Sequence, residues 1–350
     1  MVTHCSPEMD VVVLNLPEVR PTLADVAHAA GVSLATASRV LSGFHQVRPE
    51  TRRQVEQAVR SLGYVRQRAG RMRGPRRTGL IAVVVCEDGG RLFADPYFSR
   101  LLVGINRELT AADHQIVLLT AGKGHAGQSP ALRLLRGDHV DGALMVSMLT
   151  RHAAALERVG IPVVSVGRPM CADPDRHSYV DVDNRGGAVR AVRHLVAAGR
   201  TRIATVAGPQ DMTAGLDRLA GYRCALAEFG RDDTGLVMHG DFGQASGEHA
   251  TLRLLDRRPG VDAIFVASDL MAIGVLRALR RTGRRVPDDV AVIGFDNAPI
   301  AGTMGPPLTT IGQPVELLGA QTARELLGHI DGTLTERAGH GTAVTRVGVR

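Results

Sequence analysis

PTLADVAHAAGVSLATASRVLSG, residues 21–43, decides how the rest of the chain is read. Thr22 offers a hydroxyl N-cap, and Asp25, three residues on, puts an acid near the positive end of a helix dipole. Leu23, Val26, Ala27 and Ala30 share one helical face. Gly31 stops the helix where a positive φ is easiest to place. Ser33 caps a second helix running to about Leu41, in which Ala37, Val40 and Leu41 face inward. That leaves Leu34, Ala35, Ser38 and Arg39 pointing away from the small core. A helix, a glycine turn and a helix of this length have the geometry of a DNA-reading helix-turn-helix.

Working outward, residues 49–62 read as a third helix. Pro49 and Glu50 suit its first turn, and Val55, Ala58, Val59 and Leu62 form its apolar face. Gly63 ends it, and Tyr64 closes the core. VSLATASRVLSG (32–43) and VRPETRRQVEQAVRSLGY (47–64) together resemble the DNA-binding head of the LacI/GalR family of bacterial transcription regulators. The resemblance implies that Leu34 and Ala35 meet base edges and that Arg39 is available for a bidentate guanine contact. It places Thr22, Ser33, Thr36, Ser38, Gln46 and Thr51 on phosphates. Leu34 and Ala35 can sense a thymine methyl but cannot donate hydrogen bonds, so the operator is not legible in detail.

Residues 66–78 form the linker. In the family this segment folds into a short hinge helix on DNA, with a leucine wedged into the minor groove. Here Arg66 and Gln67 replace the usual Pro-Asn pair, Arg73 stands where the leucine is expected, and Gly70, Gly74 and Pro75 weaken a helix. Either the register shifts so that Met72 is the wedge, or the hinge binds by charge.

Charge is unevenly placed. Residues 17–79 hold twelve arginines against Glu18, Asp25, Glu50 and Glu56, a net of +8, while the whole chain carries +7. A basic head on a nearly neutral body implies a polyanionic partner for the head alone. Lys123 is the single lysine, so guanidinium carries almost all the positive charge. Cys5, Cys86, Cys171 and Cys224 show no metal or disulfide spacing, which fits a reducing compartment. The apolar run Val11–Leu14 is too short for a signal or membrane helix. A cytoplasmic protein without a membrane partner is expected, residues 1–19 reading either as a disordered extension ahead of the head or as a stretch whose real start lies downstream, at Met9.

From Leu80 a β-α pattern repeats. Apolar runs at 80–86, 115–120, 142–146, 162–166 and 179–182 alternate with helical patterns at 98–112 and 131–137. The pattern restarts near residue 190, with strands at 202–207, 236–240, 263–267 and 290–294 and helices at 218–230, 247–257 and 269–282. Continuous apolar strands alternating with helices mean parallel sheets covered on both faces. Two such halves read as two Rossmann-like lobes with a cleft between them. The family landmarks follow in order: DPYFSRLLVGI (95–105), GIPVVSVGR (160–168), YVDVDNRGGA (179–188), DRLAGYRCAL (217–226), HGDFGQASG (239–247), VPDDVAVIGFDN (286–297) and PPLTTIGQP (306–314). The resemblance therefore implies a head (20–65), a hinge (66–78), a periplasmic-binding-protein-like core (79–335) and a C-terminal segment (336–350).

Strand C-termini face the cleft in open α/β sheets, so Asp269, after the 263–267 strand, is expected as an N-cap and as an acceptor for ligand hydroxyls. By resemblance, Arg218 grips the effector and Phe242 stacks on it or packs in the core. Of Tyr97 and Phe98, one lines the pocket and the other the core. Asn297 and Gln313, with Glu87 and Asp88, are further candidates. This mixture of Asp, Arg, Gln and aromatics suits a polyhydroxylated ligand. A sugar is the lead and a nucleobase or nucleoside the alternative. GKGHAG (122–127) fits a dinucleotide pattern, with Asp141 about twenty residues on. It opens no helix N-terminus, so phosphate binding is not expected and no cofactor is assigned. The expectation is a homodimeric, non-enzymatic repressor on a pseudo-palindromic operator, controlled by a small molecule.

Overall fold

In the run Leu80–Val85 the side chains sort strictly by parity. Ile81, Val83 and Val85 are buried in one cluster; Ala82, Val84 and Cys86 are buried in another, on the opposite face of the strand. A strand apolar on both faces must lie inside a covered sheet. The second half repeats the device. Ala204 and Val206 lie in one cluster with Ile264 and Val266, while Ile203 and Ala207 lie in another with Ala263 and Phe265. Each such buried aliphatic contributes roughly 1.5–3 kcal/mol relative to exposure.

The structure is a computed structural model that describes residues 22–41, 47–62, 64, 77–121, 134–135, 139–147, 159–171, 177–334, 341–343 and 346–348. The chain divides into two compact units between residues 75 and 76. The first holds α1 (Leu23–Ala29), α2 (Leu34–Leu41) and α3 (Pro49–Leu62) around Val26, Ala27, Ala37, Val40, Val55 and Ala58. Tyr64 packs against this core, whereas Leu62, expected on the apolar face, is exposed.

In the second unit the first sheet runs β2 (Gln115–Thr120), β1 (Leu80–Val85), β3 (Gly142–Val146), β4 (Val163–Val166), β5 (Ser178–Val182) and β11 (Gly341–Ala343), all parallel. The second runs β7 (Val237–His239), β6 (Ile203–Ala207), β8 (Ala263–Val266), β9 (Ala291–Asp296), β10 (Thr309–Gly312) and β12 (Arg346–Gly348), the last antiparallel. Both lobes share one strand order over their first five members. Both also fix the start of their first strand the same way. Asp141 accepts from Thr78 N and Oγ1 at 2.6 and 2.9 Å; Asp262 accepts from Thr201 N and Oγ1 at 2.7 and 2.9 Å.

The lobes exchange elements. The chain leaves the first at Asp183, where α6 (Asn184–Ala197) packs into the second lobe's core through Ala188, Ala191 and Val192. It returns after Gln313 with α10 (Val315–Asp331), whose Val315, Leu318 and Leu326 join the first lobe's core. There α10 crosses α5 (Pro96–Ala111) at backbone contact. A Cβ on Gly104 would collide with the Glu316 carbonyl, and one on Gly319 with that of Leu101. Arg100–Glu316 and Arg324–Glu108 pairs, at 2.6 and 2.8 Å, bracket the crossing.

Three boundaries differ from the expectation. The crossing to the second lobe comes at Asp183, ahead of the restart near 190. The hinge set at 66–78 yields its last two residues to the core, because Arg77 pairs with Asp331 and Thr78 with Asp141. The segment 336–350, set apart from the core, adds an edge strand to each sheet.

Candidate functional site

The head presents its second helix outward. Leu34 is 54% exposed, and Ala35, Ser38 and Arg39 are exposed beside it. Thr22 and Asp25 close a full capping box: Thr22 N and Oγ1 donate to Asp25 Oδ2 at 2.6 and 2.7 Å, and Asp25 N donates back at 3.3 Å. These bonds, backbone first, hold the Asp25 carboxyl below its ordinary value. Both Thr22 donors are thus taken by the cap. Ser33 Oγ accepts from Thr36 N at 3.2 Å and lies 2.8 Å from Thr36 Oγ1, so the two hydroxyls sit together at the start of α2. Thr51 is half-buried in the first turn of α3. Gln46, Met72 with most of the hinge, and the glycine pattern 122–127 lie outside the described residues. Asp141, the acid of that pattern, is spent on Thr78 and Gly79 at the N-terminal ends of the strands, opposite the cleft.

In the core, a cavity of about 790 Å³, its open mouth included, is lined by residues following β1, β3, β4 and β5 and, across from them, β6 to β10. The strand C-termini of two parallel sheets converge there, as open α/β topology dictates. Arg218, on α7 (Thr213–Glu228), is buried at its centre. Its Nε donates to Asn184 Oδ1 at 2.9 Å, Nη1 to the Ala267 carbonyl at 2.5 Å, and Nη2 to Gln313 Oε1 at 3.1 Å. Nη1 also reaches Asp296 Oδ1 at 3.4 Å. The guanidinium lies 3.7 Å from the Phe295 ring centroid and 5.6 Å from that of Phe242. From the first lobe Arg91 approaches Phe242 at 5.5 Å. Among the described residues, hydrogen bonds tie the lobes at the rim. Arg168 Nη2 donates to Asp217 at 2.7 and 2.8 Å, and Thr213 Oγ1 donates to the Arg168 carbonyl at 2.6 Å.

The carboxyls of the wall sit in poorly solvated places. Burial pushes Asp95, Asp181 and Asp296 above the ordinary range. For Asp296 the Arg218 charge opposes that rise, while Asp269 and Asp95 add to it. Ser147, Phe242, Asp296 and Asn297 all adopt positive φ at strand ends around the cavity. Such backbone costs about 1–3 kcal/mol per residue and clusters where a site is being shaped.

Of the residues expected at the pocket, Tyr97, Phe98, Arg218, Phe242 and Gln313 line it. Tyr97 and Phe98 both do so, edge to face at 5.4 Å, and Phe98 is also the one of the two that belongs to the first lobe's core. Phe242 also belongs to the second lobe's core. Asp269 and Asn297 do not line it. Asp269 is fully buried, accepting from Thr310 Oγ1 at 2.6 Å and Ala298 N at 2.8 Å, and Ser268 takes the N-cap expected of it by accepting from Met271 N. Glu87 is buried against Arg91, and Asp88 sits at the start of α4 (Gly89–Ala94) without a side-chain cap. Sequence reasoning missed Arg91, Asp95, Arg168, Asp181, Asn184 and Asp296. Asp-Pro at 95–96 was a legible N-cap signal, and Asp95 does accept from Tyr97 N at 3.0 Å.

Comparison with known proteins agrees with this architecture. Residues 22–67 match the model described as bacterial regulatory proteins, lacI family, and residues 192–350 match a periplasmic binding protein-like domain. The transcriptional regulator CelR of Thermobifida fusca is 46% identical over 91% of this chain and 94% of its own. The repressor CytR of Escherichia coli is 35% identical over 90% of this chain and 91% of its own. A structure of a CelR–cellobiose complex superposes with a TM-score of 0.76 at 44% identity, covering 95% of this chain and 99% of the other. A lac repressor dimer bound to operator gives 0.79 at 27% identity, covering 95% and 98%. Among the described residues no helix is long and apolar enough to cross a membrane. With a helix-turn-helix head and a two-lobed core aligned along nearly their whole length, the chain belongs to the lacI family of DNA-binding transcriptional regulators.

Proposed function

We propose that the chain is a cytoplasmic, homodimeric repressor, not an enzyme, whose hold on a pseudo-palindromic operator is set by a carbohydrate bound between the core lobes. Two heads each lay α2 in a major groove. Leu34, Ala35 and Arg39 read base edges; Ser33, Thr36, Ser38, Gln46 and Thr51 contact phosphates; and Met72 serves the minor groove. The arginine-rich head gives much of the affinity, which falls steeply with salt. The observation that carries the ligand reading is the cavity wall itself. Asp181 and Asp296 offer acceptors, Arg218 pairs with Asp296 and donates to Gln313, and Phe242 gives an aromatic face. Carboxylates suit vicinal hydroxyls and a ring face suits the C–H side of a pyranose. That a similar solved structure is a CelR–cellobiose complex supports the same class of ligand here. Closure on the ligand shifts the lobes and, through differential binding to two states, the affinity for DNA.

A labelled operator fragment titrated with protein tests this. Neutral disaccharides should change the apparent Kd at least about tenfold, a coupling of about 1.4 kcal/mol. Arg39→Ala should abolish specific binding while leaving sugar affinity intact. A response to nucleosides with none to sugars would replace the carbohydrate reading.

A further inference from the structure

Three arginines and three aspartates line the cavity, but carboxylates standing behind the arginines tip the balance toward negative charge. Arg91 is paired with Glu87 at 3.0 Å, and Arg168 with Asp217. Each of these pairs is neutral. Among the described residues Arg218 is then the remaining guanidinium of the wall, facing Asp296 with the buried Asp269 behind it. Asp95 and Asp181 add two more carboxyls. They are held by hydrogen bonds instead: Asp95 accepts from Tyr97 N, and Asp181 from the backbone N–H groups of Arg168 and Val182 and from Asn184 Nδ2. An anion entering here would bring like charge into a poorly solvated space whose guanidinium groups are already engaged by carboxylates. A hydroxyl-rich neutral molecule meets the reverse, since carboxylates accept from hydroxyls. One lining residue also keeps an unmade hydrogen bond. Arg91 Nε is buried and has no hydrogen-bond partner among the described residues.

We propose that the cavity admits only an effector without ionised groups, donating hydroxyls to Asp95, Asp181 and Asp296 and offering Arg91 a neutral oxygen, and that it excludes the phosphorylated form of the same sugar. This rests on the carbohydrate reading above and narrows it. Burial raises the Asp95, Asp181 and Asp296 carboxyls, which marks the wall as a place where negative charge, an effector's included, is poorly solvated.

Calorimetric titration of the purified full-length chain with matched pairs tests it: cellobiose, maltose and trehalose, each beside its 6-phosphate, and cytidine beside its 5′-phosphate. At least one neutral sugar should bind, and its phosphate should bind at least about tenfold more weakly. Asp95→Asn keeps an N-capping side chain while removing one charge, so it should narrow that ratio about threefold or more. A sugar phosphate binding as tightly as its parent, or a ratio untouched by Asp95→Asn, overturns the proposal and leaves the carbohydrate reading standing. Binding of cytidine over its phosphate, with no sugar bound, overturns the carbohydrate reading and upholds the exclusion of ions. Silence across the panel overturns both.

Discussion

At the scale of single residues, the two carboxylates around Arg218 have separate tasks. Asp269 is sealed away and ties the start of α9 (Asp269–Arg281) to Thr310 and Ala298 across the end of the second sheet. Asp296, at the end of β9, reaches the cavity. From sequence, Asp269 was the candidate for the ligand, since it follows a strand and opens a helix. That Asp296 and not Asp269 reaches the cavity is a one-residue matter. Ser268 takes the cap, and the carboxylate after it turns inward. Asp296→Asn should therefore weaken effector binding at least about tenfold with little loss of stability. Asp269→Ala should cost about 1–3 kcal/mol of core stability by stranding the buried Thr310 hydroxyl and Ala298 N–H. Denaturant melts beside effector titrations separate the two; equal effects on stability would contradict the division. Both carboxyls are raised by burial, so the folded state holds more protons than the unfolded one between the ordinary carboxylate range and the raised values. Their contribution to stability therefore grows as pH falls through that window and is lost as pH rises. Wild type should gain stability relative to Asp296→Asn between about pH 8 and about pH 5, read from the difference in melting temperature. A difference that stays flat or reverses would show that Asp296 is not raised.

At the scale of elements, the crossing of α5 and α10 holds the first lobe's helical face together and brings the returning chain close to the cavity. Leu318 of α10 lines the cavity, and Gln313 sits just before the helix. The approach depends on Gly104 and Gly319, where each helix meets the other's carbonyl. Gly319→Leu should force the helices apart at a cost of about 1–3 kcal/mol and weaken effector binding, while operator affinity of the free protein changes less. Unaltered unfolding would contradict the tight packing at this crossing. In the sequence, α10 gives no sign of returning to the first lobe, because an apolar face does not state which core will receive it. Strands were far more legible. Runs such as LIAVVV and AIFV are apolar on both faces, which admits only a covered sheet. The start of α7 was read five residues late, since Gly215 in its first turn interrupts the helical pattern.

At the scale of the whole molecule, the division of labour was legible because it is written in composition. Twelve arginines gather between residues 17 and 79, and the β-α repeat begins where they end. The helix-turn-helix was legible for the same reason its core is small: Val26, Ala37, Val40 and Val55 leave few ways to bury them. The cavity was legible in its middle and not at its rim. Arg218, Phe242 and Gln313 stand in motifs, but Arg91 and Arg168 matter through partners on the opposite lobe, and pairing across a cleft leaves no local periodicity. The central claim is that a basic three-helix head grips duplex DNA and that a small molecule in the two-lobed core changes that grip. Fluorescence anisotropy of a labelled duplex selected by the protein from random sequence, measured at moderate salt with and without a neutral disaccharide found to bind the core, tests it most directly. The account predicts a clear preference over unselected duplex and an apparent Kd that the sugar moves at least about tenfold. Equal binding to selected and unselected duplexes, or a Kd that stays put while the sugar occupies its cavity, would contradict it.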